Sequence, residues 1–283
     1  MTTIYHFSGA GNDFVVIDGR EGDVSPFREV PRIQALCKEH KTDGLMILSS
    51  GDAEVDFTME FYNPDGSGGM MCGNGGRCIV AFADYLGIRP AAGDVFLFRA
   101  PDGLHTGEIL ARPEDGLWEV RIKMIDVQEI KPMLDGYFLN TGTRHFVKFV
   151  PDVEEVDIDT EGKALRWHPA FAPVGTNVNF VHVAPDGLHV RTFEKGVEGE
   201  TLACGTGLTA SAIAAYEIAR PSPEGSAQND KTSVIPTKAG GRGEKSFRLR
   251  ARQDWLSVDF TPGEDGGFTD VYLTGPARLV RVI

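Results

Sequence analysis

The sequence lacks long hydrophobic runs and has few basic residues. No stretch approaches the roughly 20 apolar residues that span a bilayer, and the start, 1–6, lacks a basic region followed by an apolar segment. The chain has 28 lysines and arginines against 41 aspartates and glutamates, a formal net charge of −13. This balance argues against nucleic acid or an anionic membrane as the partner. We therefore expect a cytoplasmic protein that acts on a small molecule.

Cysteine is scarce as well. The four residues Cys37, Cys72, Cys78 and Cys204 do not form the close pairs of a structural zinc site. Four cysteines in 283 residues are also too few for a disulfide scaffold. We expect free thiols and no metal, and the question is which thiols are reactive.

Two of the cysteines lie in glycine-rich turns that lead into helices. Cys72–Gly76 precedes an apolar run at helical spacing, and Cys204–Gly207 precedes a second run of small residues. Backbone N–H groups converge at a helix start and the helix dipole favours an anion, so a thiol there can be reactive. The alternative is that Cys72 is only a small buried hydrophobe. Cys78 is assigned to packing, because Ala210 occupies the same offset in the second loop.

The two cysteine loops belong to a repeated order of elements. Each half has an Asn-containing turn with a strand, further strands, a polar turn, and then Cys-Gly-x-Gly with a helix. Alternating apolar and polar residues predict strands with one buried face, and the polar segment 221–230 predicts a surface loop. We interpret the chain as a duplicated α+β domain with mixed sheets, rather than as two unrelated glycine turns. The predicted halves are 1–124 plus 272–283, carrying Cys72, and 125–271, carrying Cys204.

Two thiols on opposite sides of one carbon suit a specific chemistry. Related halves usually pack about a pseudo-twofold axis, which predicts that Cys72 and Cys204 face each other across a cleft. One thiolate can then remove a proton from a stereocentre while the opposite thiol delivers a proton to the other face. Glycine loops at helix starts supply donors for the carboxylate charge that develops as Cα loses its proton. No lysine motif for pyridoxal phosphate is evident, so a route without a cofactor fits.

Motifs along nearly the whole chain resemble those of the diaminopimelate epimerase family. They occur in the family's order at Gly9–Phe14, Asn63–Ser67, Met71–Cys78, Gly175–Phe180, Gly199–Gly207 and Leu273–Ala277. The resemblance implies two domains, each a curved sheet or barrel around a central helix, with the active site in the cleft between them. It also implies a homodimer and a pyridoxal-independent interconversion of LL- and meso-2,6-diaminopimelate, in lysine and peptidoglycan-precursor biosynthesis.

The resemblance also assigns roles to single residues. Cys72 and Cys204 would be the acid/base pair, and His145 and Glu194 would tune the thiols. The amino acid substrate would be bound by residues from both halves: Asn12, Asn63, Gly73, Asn74, Asn177, Glu194, Lys195, Gly205 and Thr206. Each asparagine has an alternative interpretation as a turn former, and His145 has one as a structural histidine.

The chain departs from the family pattern close to these residues. Lys195 stands where the family commonly has arginine, so the charge is kept and the bidentate fork is lost. The chain is one residue longer at Val197-Glu198. Gly142-Thr143-Arg144-His145 replaces a Gly-Asn-Pro-His or Gly-Ser-Pro-His run, which removes a substrate-binding asparagine and predicts a cation beside the site. These departures keep the thiol chemistry and leave the exact substrate open.

Two other functions remain open on the sequence. A related cofactor-independent racemase acting on histidine or hydroxyproline would use the same pair of thiols. The hydroxyproline group shares the paired cysteine loops but not the Gly-Asn-Asp-Phe run at 11–14. A thiol redox sensor or a binding protein would instead use two facing thiols as a reversible disulfide.

Overall fold

The computed structural model of the protein describes residues 2–220 and 243–283. The predicted surface loop at 221–230 lies outside these residues. The chain divides into two compact units, Met1–Lys123 with Thr274–Ile283, and Met124–Leu273. None of the helices in the described ranges is long and apolar enough to cross a membrane.

The first unit is a closed barrel of eight strands. The strands are β1 Ile4–Gly9, β2 Asn12–Asp18, β3 Gly44–Ser50, β4 Phe57–Tyr62, β5 Val95–Ala100, β6 Gly103–Glu114, β7 Leu117–Lys123 and, from Thr274 onward, β16 Phe268–Val282. Neighbours in the chain are hydrogen-bonded, and β16 pairs with both β7 and β1. This second pairing closes the barrel, so that no strand is left with an open edge.

The second unit repeats this arrangement. Its strands are β8 Ile130–Met133, β9 Gly136–Asn140, β10 Arg144–Phe149, β11 Asn177–Ala184, β12 Gly187–Glu194, β13 Gly199–Thr201, β14 Lys245–Arg250, β15 Trp255–Pro262 and the first part of β16. The order is β16-β15-β14-β12-β11-β10-β9-β8, with β13 beside β12. A bridge between Val127 and Phe268 joins the two ends of this series.

The direction of the strand pairs shows the duplication. In the first unit β2 and β3 are parallel, β3 and β4 antiparallel, and β4 and β5 parallel. In the second unit the pairs β10–β11, β11–β12 and β12–β14 have the same three senses in the same order. Short turns cannot join parallel neighbours, so each such pair is connected by a segment that carries helix. The predicted duplicated α+β fold is confirmed.

A buried helix lies inside each barrel. The helices are α2 Gly73–Tyr85 and α4 Gly205–Ala219, and both contact strands on several sides. Most residues of both helices are buried, so each helix belongs to the core of its unit. In the first unit, the ring of Phe82 packs 4.9 Å from that of Tyr5 and 5.5 Å from that of Phe7. In the second, the ring of Tyr216 packs 5.8 Å from that of Phe260.

The remaining helical segments are short and lie between parallel strands. They are a 3₁₀ turn Ser25–Arg28, α1 Val30–His40, a π-helical turn Ile158–Gly162, α3 Lys163–Arg166 and a 3₁₀ turn Pro169–Phe171. The apolar residues of 26–40 recur at helical spacing, but the structure divides this segment between the 3₁₀ turn and α1. Pro31 has no N–H and disfavours helical geometry in the residue before it, so a helix can begin there but cannot pass through.

The packing around α2 predicts a large effect of truncating Phe82, which is fully buried. We expect Phe82→Ala to lower the free energy of unfolding by about 3–5 kcal/mol, because the barrel cannot collapse onto the cavity. Urea unfolding followed by circular dichroism measures this. Leu104→Ala is the control, since Leu104 is 58% exposed, and its effect should stay within about 0.5 kcal/mol. Equal effects of the two substitutions would contradict the placement of Phe82.

Candidate functional site

Cys72 is the N-cap residue of α2. Its backbone is extended, with φ −105° and ψ 153°, and its Sγ accepts a hydrogen bond from the N–H of Gly75 at 3.2 Å. The side chain is exposed. A Cβ on Gly75 would lie 3.2 Å from this sulfur, so glycine lets the first turn wrap closely around the thiol. A backbone N–H aimed at the sulfur at a helix start favours the thiolate form.

The polar side chains beside Cys72 form a chain of hydrogen bonds with one direction. Fully buried Arg77 donates from Nη2 to Asn74 Oδ1 at 2.9 Å. The Asn74 amide nitrogen donates to Asn12 Oδ1, and Asn12 Nδ2 donates to Asp43 Oδ2 at 3.3 Å. A guanidinium can only donate and an ionised carboxylate can only accept, so the two ends of the chain fix both amides. The structure thus brings the predicted residues Asn12 and Asn74 together.

Asn63 is held in a turn of its own. Its Nδ2 donates to Ser67 Oγ at 3.0 Å, and its backbone N–H donates to the Ser67 carbonyl at 2.9 Å. The carbonyl of Asn63 accepts from the N–H of Gly66 at 2.9 Å. This is the bonding of a turn former, which was the alternative interpretation of this residue from sequence.

Cys204 is the N-cap residue of α4 and is placed differently. Its backbone is again extended, with φ −118° and ψ 105°, but the residue is only 8% exposed. Its sulfur contacts a side chain, with Thr206 Oγ1 3.4 Å away. The Thr206 carbonyl accepts from the Thr141 hydroxyl at 2.8 Å, which holds the first turn of α4 against the strands. The two cysteines are therefore equivalent in the fold and unequal in their surroundings.

A hydrogen-bond network joins half-buried Thr206 to buried His145. The Nε2 atom of His145 lies 2.9 Å from the hydroxyl oxygen of Thr206 and 2.9 Å from that of Thr143. The Nδ1 atom lies 3.0 Å from Asn179 Nδ2. Burial lowers the pKa of His145 to about 3, so the imidazole is neutral at ordinary pH. Any influence of His145 on Cys204 therefore passes through hydrogen bonds rather than through a positive charge.

Asn177 connects this network to the loop after β12. Its Nδ2 donates to Thr143 Oγ1 at 3.2 Å and to the Arg144 carbonyl at 2.8 Å. Its Oδ1 accepts from the backbone N–H of Lys195 at 2.8 Å. The side chain of Lys195 is exposed. Asn177 thus contacts the network directly, whereas Lys195 is tied to it through its backbone.

The loop that carries Lys195 is held by side-chain hydrogen bonds on both sides of this residue. Glu194 Oε2 accepts from the Thr201 hydroxyl at 2.8 Å. At the point where the chain is one residue longer, Glu198 Oε1 accepts from the Gly196 N–H and from Arg166 Nε, both at 3.1 Å. The longer loop is therefore held in place by a buried arginine rather than left loose.

The cation of Arg144 does not lie beside His145, and the expectation from sequence was wrong. The guanidinium carbon stands 5.5 Å from the centroid of the Phe138 ring, and Nη1 donates to the Phe171 carbonyl at 3.5 Å. Successive side chains of a strand point to opposite faces, so Arg144 lies on the face of β10 away from His145. Thr143, at the position of the missing asparagine, contributes its hydroxyl to the network instead.

The two other cysteines are packing residues. Cys78 is fully buried, and burial raises the pKa of its thiol far above the usual range. Burial also raises the pKa of Cys37. A Cβ on Gly9 would lie 2.9 Å from the Cys78 sulfur, so α2 packs tightly on β1 there. Across residues 2–220 and 243–283, no three His, Cys, Asp or Glu side chains are grouped so as to hold a metal ion.

Four residues of these networks were not predicted from the sequence to belong to the site: Asp43, Arg77, Thr143 and Asn179. Arg77 could have been found, because it lies four residues after Gly73 on one helix face. Asn179 could have been found as well, because it shares a strand face with Asn177 two positions earlier. Asp43 gave no signal, since its contacts depend on how β2 and β3 pair.

Gly207 is required where it stands, because a Cβ there would lie 2.3 Å from Asn179 Oδ1. We expect Gly207→Ala to displace Asn179 and to lower the free energy of unfolding by about 1–3 kcal/mol, the usual cost of overpacking. Gly199→Ala is the matched control, because a Cβ at Gly199 meets nothing within 4 Å. Urea unfolding compares them, and an effect of Gly207→Ala no larger than that of the control would contradict the close approach.

Neutral, buried His145 predicts a dependence of stability on pH. The ordinary pKa of a histidine is 6.5, whereas the pKa of His145 in the folded protein is about 3. Between these two pH values the unfolded chain binds a proton at this residue and the folded chain does not. The free energy of unfolding should therefore fall on acidification through this window, with His145 contributing up to about 1.4 kcal/mol per pH unit. Urea unfolding at a series of pH values should give a shallower fall for His145→Gln. Identical slopes would show that His145 takes up a proton in the folded protein.

The chain is similar to known proteins over most of its length. The sequence model of the family described as diaminopimelate epimerase matches residues 4–100 and 137–242. A diaminopimelate epimerase of Flavobacterium psychrophilum is 36% identical over 281 residues, covering 98% of this chain and 97% of the relative. The diaminopimelate epimerase of Chlorobaculum tepidum is 36% identical over 282 residues, covering 96% of this chain and 97% of the relative.

A solved structure shows the same fold at low identity. The phenazine biosynthesis protein of the PhzF family from Bacillus anthracis superposes with a TM-score of 0.70 and 12% identity, covering 100% of this chain and 98% of that one. At this identity the likeness concerns the fold alone. The family match and the relatives go further, because they cover both cysteine loops, Cys72–Gly76 and Cys204–Gly207. The chain belongs to the diaminopimelate epimerase family.

Proposed function

We propose that the protein is a diaminopimelate epimerase that interconverts LL- and meso-2,6-diaminopimelate by proton transfer through Cys72 and Cys204. The observation that carries the proposal is the repeated cysteine N-cap, since each unit places one thiol at the start of a buried helix. Membership of the family supports the substrate. The proposed reaction class is isomerisation at an amino acid Cα.

The two thiols account for both protons that move in the proposed reaction. One thiolate takes the proton from Cα and becomes a thiol, while the other thiol gives its proton to the opposite side of the carbon and becomes a thiolate. The reverse direction exchanges the two roles. The negative charge that develops spreads into the α-carboxylate. In this proposal the carboxylate is held by backbone N–H groups of Gly73–Asn74 and Gly205–Thr206, because the first-turn donors of a helix have no intrahelical acceptor.

The remaining polar side chains are proposed to hold the ends of the substrate. Asn12, Asn63 and Asn177 would contact its ammonium and carboxylate groups. Glu194 would contact an ammonium, and Lys195 would contact a carboxylate by charge alone, without the bidentate geometry of an arginine. The exposure of Lys195 and the fixed position of its backbone support this assignment.

The two thiols are proposed to be stabilised as thiolates by different means. Cys72 receives a backbone N–H from Gly75. Cys204 lies against the Thr206 hydroxyl, which is joined to His145. We propose that His145 acts as a neutral hydrogen-bonding group, because burial keeps it uncharged.

We further propose that the enzyme works in the cytoplasm as a homodimer, within lysine and peptidoglycan-precursor biosynthesis. Free cysteines, which a reducing compartment preserves, support the location. The family's general role supports the pathway. Sedimentation velocity of the purified protein tests the assembly, and a monomer at working concentration would contradict it.

The reaction is tested by epimerisation in deuterated water. Starting from unlabelled LL-diaminopimelate, the first meso product should carry deuterium at the inverted Cα, while the remaining substrate keeps its protium. This follows because the delivering thiol has exchanged with the solvent before the substrate binds. Mass spectrometry and NMR of early time points measure it. Product that retains protium would show a single base, and exchange confined to another amino acid in a panel containing histidine and hydroxyproline would assign a different substrate.

Substitution of the thiols tests their roles. We expect Cys72→Ala and Cys204→Ala each to lower kcat by at least about 10²-fold, the loss typical of a general acid or base. Cys37→Ala, which also removes a sulfur, should keep wild-type turnover. Circular dichroism confirms that each variant is folded. Retained turnover in either of the first two variants would contradict the two-base scheme.

A further inference from the structure

We propose that Asn179 is a positioning residue of this reaction, which holds His145 as the neutral tautomer with its hydrogen on Nε2 and so turns the Thr206 hydroxyl toward the sulfur of Cys204. The inference rests on the proposed function in one respect, namely that Cys204 transfers a proton. The side chains that carry it all lie within the second unit.

The orientation of the Asn179 amide is fixed by its neighbours. Asn179 is fully buried on β11. Its Nδ2 lies 3.3 Å from the Phe146 carbonyl oxygen, and its Oδ1 lies 2.9 Å from the Thr192 hydroxyl. A backbone carbonyl only accepts, so the amide atom that faces it must be the NH₂ group. The hydroxyl of Thr192 then donates to Oδ1.

The same NH₂ group determines the tautomer of His145. Asn179 Nδ2 lies 3.0 Å from His145 Nδ1. One hydrogen of the NH₂ group is donated to the Phe146 carbonyl, and the other is donated to the ring. The Nδ1 atom must therefore accept with its lone pair and carries no hydrogen. A neutral imidazole carries a single hydrogen, which is then on Nε2.

The hydrogen on Nε2 orders the two hydroxyls that it faces. Thr206 and Thr143 are both 2.9 Å from Nε2, and their oxygens are 3.4 Å apart. The Thr143 oxygen receives a hydrogen from Asn177 Nδ2 at 3.2 Å. An Nε2 atom that carries a hydrogen cannot accept, so the Thr143 hydrogen is directed to Thr206 rather than to the ring. With donors from His145 and Thr143, the two lone pairs of the Thr206 oxygen are occupied. Its hydrogen is left for the Cys204 sulfur, 3.4 Å away.

The opposite tautomer would reverse this order. A bare Nε2 would accept a hydrogen from one of the two hydroxyls, and whenever Thr206 donates to it that hydrogen is withdrawn from the sulfur. A hydroxyl hydrogen aimed at sulfur stabilises a thiolate, so the tautomer of His145 governs how readily Cys204 carries the charge. The close approach at Gly207, where a Cβ would lie 2.3 Å from Asn179 Oδ1, shows that the first turn of α4 is built around this side chain.

The first test observes the network in the wild-type protein. Protein labelled with ¹⁵N-histidine is examined by two-bond ¹H–¹⁵N correlations between pH 5 and 8 (on the order of one unit either side of the ordinary histidine value), with His145→Gln to assign the signals. We expect His145 to show a neutral ring with its hydrogen on Nε2 throughout. A hydrogen on Nδ1, or a charged ring, would overturn the proposal.

The second test compares Asn179→Leu with Thr192→Val. Both substitutions remove one partner from the same buried network and should destabilise the fold similarly, but only Asn179→Leu removes the donor to Nδ1. We expect the Nε2-protonated state to be lost in Asn179→Leu and kept in Thr192→Val. Equal histidine spectra in the two variants would reduce Asn179 to a structural role.

The reactivity of the Cys204 thiol tests the effect of Asn179 on the sulfur. In a Cys72→Ala background, alkylation of Cys204 by iodoacetamide at neutral pH is followed by mass spectrometry of its peptide. Asn179→Leu should slow this alkylation by about tenfold, the lower end of the value of one hydrogen bond to a charged group, and Thr192→Val should not. Equal rates in the two variants would contradict the positioning role.

Turnover separates this inference from the proposed function. In the otherwise wild-type protein, Asn179→Leu should lower kcat and leave KM unchanged, because Asn179 touches Cys204 only through His145 and Thr206. If the spectra and the alkylation behave as expected and no diaminopimelate is turned over, the proposed substrate is wrong and the positioning role stands. If diaminopimelate is epimerised while His145 carries its hydrogen on Nδ1, the positioning role is wrong and the function stands.

Discussion

The start of a buried helix must find acceptors for N–H groups that the helix itself cannot satisfy. In both units this constraint falls on the first turn of the central helix, which is enclosed by strands. A cysteine at the N-cap position places a sulfur at this turn, where the Gly75 N–H donates to Cys72 and the Thr206 hydroxyl lies against Cys204. The rest of each unit supports this turn, since strands β1 to β3 in one unit and β10 to β12 in the other carry the side chains that surround it.

The duplication repeats the backbone and varies the side chains. Around Cys72 the supporting chain runs from a buried cation, Arg77, to a carboxylate, Asp43. Around Cys204 the corresponding support is neutral, with an amide, an imidazole and hydroxyls. A buried charge requires fixed partners, whereas the direction of the neutral network is set by the amide of Asn179. The two halves therefore arrive at similar thiol sites by different electrostatic routes.

Local patterns were enough to predict the fold and the helix starts. The Cys-Gly-x-Gly turns gave both N-cap positions, and alternation gave the strands on which Asn177 and His145 lie. What the sequence could not supply was the pairing of strands distant in the chain. The contact between Asn12 and Asp43 needs β2 and β3 to be parallel in one register, and that between His145 and Asn179 needs the same of β10 and β11. The prediction for Arg144 was wrong because successive side chains of a strand point to opposite faces, so the neighbour of His145 in the sequence lies away from it.

The last strand also has a consequence for how the protein is made. The residues of β16 from Thr274 onward complete the barrel of the first unit, whose other seven strands are all encoded before Met124. During synthesis this unit emerges from the ribosome first, yet its β1 and β7 edges stay unpaired until the entire second unit has been translated. Exposed strand edges invite pairing with other chains. The first part of the polypeptide to appear thus cannot close its barrel until the last strand has been made.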